Sequence, residues 1–65
     1  MAPAKPLGTP EEVASYLRKH VRTLANWRCQ GAGPNYIKTE GGVLYRWSDV
    51  EAWLKANTIQ PGKAA

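Results

Sequence analysis

A single cysteine, Cys29, and a single histidine, His20, are all that this 65-residue chain brings to cross-linking. One thiol makes no internal disulfide, and one Cys with one His falls short of a structural zinc set. A chain so short buries only about 60% of its unfolded surface. It is therefore one domain, held by ordinary packing. Three Trp and three Tyr, with no Phe, are its large packing residues. Trp27, Trp47 and Trp53 read as core and hairpin-packing residues, and Cys29 as a small packed hydrophobe.

Local signals then order the elements. Residues 1–8, with two Pro and a Gly, read as a disordered lead-in in which Leu7 packs back on the domain. Thr9, Pro10 and Glu12 stand at the cap, the first helical position and the third, a capping box that predicts a helix over about 10–18. Val13, Ala14, Tyr16 and Leu17 form its apolar face. Arg18-Lys19-His20 breaks that pattern as a short turn. A second helix is expected over about 21–29, with Val21, Leu24 and Ala25 inward and Arg22, Thr23 and Asn26 outward. Gly31-Ala32-Gly33-Pro34 stops it.

From Asn35 the period changes to two. Tyr36–Thr39 and Val43–Trp47 read as strands, and Glu40-Gly41-Gly42 as the turn of a β-hairpin. Ser48 reads as the start of a third helix, Glu51 completing a second capping box. Val50, Trp53 and Leu54 are its buried face, and Asn57 its end. The folded unit is expected over 9–57, with 58–65 a flexible tail. The fold class is mainly α with a two-stranded β wing, in the order helix, turn, helix, hairpin, helix.

Charge is uneven along this frame. From Arg18 to Arg46 there are six basic residues and one acid, Glu40. A concentrated basic face is the electrostatic footprint of a nucleic-acid binder. Every nine-residue window holds a charge, a Gly or a polar break, so neither a membrane span nor a signal-peptide core is expected. The lone thiol and the missing signal fit a cytoplasmic protein, nucleoid-associated in a bacterial host. Catalysis has little to work with. The five acids sit mostly at helix starts, the only His lies in a turn, and the sequence calls for no metal or cofactor. The chain reads as a binding protein, not an enzyme.

Two short helices joined by a tight turn and followed by a hairpin make a known way of entering DNA, with the second helix in the major groove. Arg22 and Asn26 are the side-chain types that best read guanine and adenine edges there, and Thr23 suits a thymine methyl or a phosphate. Arg18, Lys19, His20 and Arg28 are candidate phosphate contacts.

The spacing of four blocks also resembles a family. They are Thr9-Pro-Glu-Glu-Val-Ala-x-Tyr-Leu17, Arg22-Thr-Leu-x-x-Trp27, Gly31-x-Gly-Pro-x-Tyr-x-Lys38 and Tyr45-Arg-x-Ser-Asp-Val-Glu-Ala-Trp-Leu54. Together they look like the excisionase/AlpA-type branch of the MerR-like winged helix-turn-helix DNA-binding family. The resemblance implies that Arg22, Thr23 and Asn26 meet the major groove and that Lys38 and Arg46 are wing or phosphate contacts. Two departures stand out. The family often has Gly-Val-Ser where this chain has Arg18-Lys19-His20. Its wing tip often reads Gly-Arg-Arg, where Glu40-Gly41-Gly42 offers no basic side chain for the minor groove.

The resemblance implies a phage or mobile-element excisionase. Such a protein binds repeated sites in double-stranded DNA and bends it for excision by an integrase or recombinase. It would be a monomer in solution that assembles cooperatively on DNA. A stand-alone AlpA- or MerR-like transcriptional regulator has the same architecture, and the residues do not divide the two. About ten residues follow Leu54, too few for the coiled-coil helix of an effector-sensing regulator. A protein-interaction or RNA-binding adaptor is the remaining reading, disfavoured by the lack of an exposed aromatic sheet or an arginine-rich run.

Overall fold

The computed structural model describes residues 6–63. The element order is β1 (Leu7–Gly8), α1 (Pro10–Leu17), α2 (Val21–Gln30), β2 (Ile37–Thr39), β3 (Gly42–Arg46), α3 (Trp47–Ala56) and a 3₁₀ turn at Pro61–Lys63. This is a small winged helix-turn-helix: three helices on a three-stranded antiparallel sheet of order β1-β3-β2. No described helix is long and apolar enough to cross a membrane.

The start of α1 is the expected capping box. Thr9 Oγ1 accepts from the Glu12 amide at 3.1 Å, and the Thr9 amide donates to Glu12 Oε1 at 2.9 Å. Its end is a Schellman-type closure: the Lys19 amide donates to Ala14 O at 2.8 Å and the Arg18 amide to Ser15 O at 3.1 Å. That closure puts Arg18 in the left-handed region, at φ 59° and ψ 40°. No other non-glycine described residue has a positive φ. Helix α2 runs to Gln30, one residue past expectation, and Gly31 at φ 71° caps it. The loop to β2 folds over Trp27: a Cβ on Gly33 would sit 2.7 Å from the indole Cε3.

The hairpin pairs Ile37 with Leu44, Lys38 with Val43 and Thr39 with Gly42, leaving Glu40-Gly41 as a two-residue turn. Tyr36 lies just ahead of β2 and not within it. The lead-in reading is corrected at its last two residues. Leu7 and Gly8 form β1, paired with Arg46 and Tyr45 of β3, and the Trp47 amide donates to Pro6 O at 3.0 Å. Glycine makes this fit: a Cβ on Gly8 would stand 2.6 Å from Cζ2 of Trp47. Residues 1–5 of that reading lie outside the described residues.

The start of α3 is also corrected. Trp47 is its first residue and not the last of β3, Arg46 is the cap, and no side chain caps it. Strand runs into helix without a loop, so Ser48 is already inside and cannot serve as its cap. Glu51 accepts a hydrogen bond from the Tyr16 hydroxyl of α1 instead. Asn57 closes the helix as expected, its Nδ2 donating to Trp53 O at 2.8 Å.

The core consists of Val13, Ala14, Leu24, Tyr45, Trp47 and Val50, with Tyr16, Leu17, Trp27, Val43 and Leu54 packed around it. Tyr16 meets Trp47 edge-on at 5.3 Å between ring centroids. Two expectations of core membership change. Trp53 is half-buried, packed on Trp27 at 5.2 Å to the side of the cluster. Val21, the first residue of α2, is 38% exposed.

Candidate nucleic-acid interface

The turn between α1 and α2 presents three side chains to solvent, Arg18, Lys19 and His20. The left-handed backbone at Arg18 ends α1 and redirects the chain at once into α2. His20 occupies the cap position of α2 with no side-chain cap hydrogen bond; its carbonyl takes the Thr23 amide at 2.9 Å. The imidazole is thus uncommitted at the positive end of a helix dipole, beside two cations.

Helix α2 orients the next set. Leu24 is fully buried and fixes which side of the helix faces the core. At about 100° per residue, the opposite side carries Arg22, Asn26, Cys29 and Gln30 within one arc of about 100°. All four are exposed. Thr23 is half-buried at the rim of that arc. The structure therefore brings Arg22 and Asn26 together as expected, with Arg18, Lys19 and His20 just before them in the chain. Sequence reading missed two members of the face. Gln30 fell past the expected helix end, and Cys29 was read as packed, whereas its free thiol is exposed. Carrying the helical wheel to the Gly31 stop would have placed both beside Asn26.

The remaining three candidates do not join that face. Lys38 and Arg46 sit on opposite faces of the sheet. Lys38 lies across from Val43, three residues before Arg46, while Arg46 lies across from Leu7. Both are exposed, and Arg46 pairs with Asp49 at 3.5 Å. An exposed pair of this kind is worth about 0–1 kcal/mol, a weak hold that a phosphate can displace. Arg28 points inward. It is half-buried, donates to the Tyr45 hydroxyl at 2.7 Å, and lies over the rings of Tyr36 and Tyr45 at 5.8 and 5.9 Å. The exposed wing tip carries Glu40 and no cation.

Among the described residues no group of three or more His, Cys, Asp or Glu is placed to hold a metal ion. A perturbed acid–base group, Tyr16, lies away from the interface. The Tyr16 hydroxyl is pushed above the ordinary tyrosine range, first by its hydrogen bond to Glu51, then by burial and by the carboxylate's charge.

Exposed amide and guanidinium groups on one helix face, a cationic turn at its N-terminus and a hairpin alongside are the parts that reading base edges from a major groove requires. A comparison with curated proteins finds no match. A family model described as "Helix-turn-helix domain" matches residues 9–58, from the cap of α1 to just past the end of α3. The chain belongs to the helix-turn-helix family of DNA-binding proteins.

Proposed function

We propose that this protein is an excisionase, a DNA-bending accessory factor that binds repeated sites in double-stranded DNA and directs an integrase or recombinase toward excision. The observation that carries the DNA-reading part is the exposed Arg22–Asn26 face of α2, headed by the Arg18-Lys19-His20 turn. Arg22, Thr23 and Asn26 read base edges. Arg18, Lys19 and His20 hold phosphates beside them. Lys38 and Arg46 take phosphates from the two faces of the wing, and Glu40 keeps the tip out of the minor groove. The four-block resemblance supports the excisionase role. On this reading the protein performs no catalysis, works in the cytoplasm as a monomer, and fills neighbouring sites cooperatively on DNA.

Footprinting on DNA from the protein's own genomic neighbourhood, at two salt concentrations, tests the role. Protected repeats beside an attachment site, filled cooperatively and with bending, are the expected result. Protection of one promoter-proximal site without bending would make the protein a stand-alone regulator. Salt-insensitive or absent DNA binding would remove both readings.

A further inference from the structure

We infer that Arg28 is a positioning residue that holds the wing in register with the reading face of α2 and does so without touching DNA. The inference rests on the assignment of the α2 face and the wing as the two DNA-contacting parts. Arg28 lies about 160° around the helix from Asn26, so it cannot share a groove floor with it. Its guanidinium grips both ends of the hairpin. Tyr36 leads into β2 and Tyr45 lies in β3 beside Arg46, and the cation sits over both rings, at 5.8 and 5.9 Å, while donating to one hydroxyl at 2.7 Å. The two rings are themselves 6.3 Å apart. Among the described residues the partners of this guanidinium are aromatic.

The joint needs such a tie. The sheet packs its backbone closely on α1 and α3, while α2 packs closely on α1. The covalent link from α2 to β2 passes through Gly31 and Gly33, at φ 71° and 82°; its Gly33 end rests on Trp27 of α2, but the strands beyond it pack their backbone little on that helix. Arg28 closes the gap from the helix side. Lys38 follows Tyr36 by two residues, so a shift of that ring carries the wing cation with it. A planar, forked guanidinium can lie against the Tyr36 ring and donate to the Tyr45 hydroxyl at once, a geometry that lysine's shorter, round ammonium matches poorly.

The test uses Arg28→Met, Arg28→Lys and Tyr45→Phe, the last keeping the buried ring and losing only its hydroxyl. In the free protein, backbone order parameters should fall across residues 37–43 in Arg28→Met, and less in Tyr45→Phe, while those of α1 and α2 hold. On DNA, Arg28→Met should lose about tenfold in affinity. Lys38→Ala should cost severalfold in the wild type and almost nothing in the Arg28→Met background. Arg22→Ala should cost the same in both. Arg28→Lys, which keeps the charge but not the fork, should recover only part of the coupling. An undisturbed hairpin in Arg28→Met and Tyr45→Phe, or a severalfold Lys38→Ala cost that is equal in both backgrounds, would overturn the inference, whereas no Lys38→Ala cost in either would overturn the wing contact. The free-protein measurement stands whatever happens on DNA, so failure of the wing contact and failure of the tie read out separately.

Discussion

Arg18 occupies a backbone conformation that glycine adopts freely and a side chain with a Cβ adopts at a cost of about 1–2 kcal/mol. The same position supplies the first cation of the turn into α2. If Arg18 holds a phosphate as proposed, stability and DNA affinity pull against each other at this residue. Arg18→Gly should raise unfolding stability by about 1 kcal/mol, measured by urea denaturation, because the strain goes and no core contact is lost. It should also weaken binding to all sequences and flatten the logarithmic salt dependence by about 0.9, one phosphate's worth. A variant that gained stability without losing affinity would take Arg18 off the interface. The polar break at Arg18–His20 was legible in the sequence. Its backbone was not, because nothing in the side-chain pattern says which residue of a turn goes left-handed. Gly8 is the converse case. Any side chain there strikes the indole of Trp47, so Gly8→Ala should cost about 1–3 kcal/mol, read from the same denaturation curves.

The helices with periodic apolar faces were the most legible elements. Thr9 and Glu12 announced α1, and Gly31 announced the end of α2, since each signal is local chemistry between near neighbours in the chain. The errors fell where distant segments decide. Residues 7 and 8 carry no strand pattern of their own; they become β1 because β3 offers an open edge and Trp47 a flat surface. Ser48 and Glu51 fit a capping box, yet Glu51 is drawn off by Tyr16, 35 positions earlier. That α1–α3 bond has a pH signature. A hydroxyl whose folded pKa is raised stabilises the fold fully below the unfolded tyrosine value of about 10 and loses that contribution as pH climbs through the folded value. The wild type should therefore lose stability above pH ~10 more steeply than Tyr16→Phe. Urea midpoints across alkaline pH, with phenolate absorbance followed in parallel, check this. Parallel curves for the two proteins would mean that the bond contributes nothing in solution.

For the whole molecule, the basic residues between Arg18 and Arg46 looked in sequence like one patch. Folded, they divide. The turn and α2 hold one set, the two faces of the sheet hold Lys38 and Arg46 apart, and Arg28 is turned inward. Helical and strand periodicities showed which side of its own element each residue would take. They did not show how α2 and the sheet face one another, which depends on Tyr36, Tyr45 and Arg28 meeting across 17 positions of chain. This division predicts two kinds of mutant. Arg22→Ala and Asn26→Ala should each cost about 1–3 kcal/mol on the cognate site and much less on random DNA. Arg46→Ala should cost similar amounts on both and reduce the salt slope. Identical behaviour of the two classes in a competition assay would remove base reading from α2.

The seamless passage from β3 into α3 also limits how this fold can change in length. One residue inserted between Arg46 and Trp47 would turn α3 by about 100° about its axis, swinging Val50 out from the core. The passage from β1 into α1 is nearly as tight, with Thr9 alone between them. Among the described residues, insertions and deletions are best absorbed at Glu40-Gly41 and in the loop over 31–36. A lineage built on this frame would accordingly vary in length at the hairpin tip, while the joins from β1 into α1 and from β3 into α3 stay fixed.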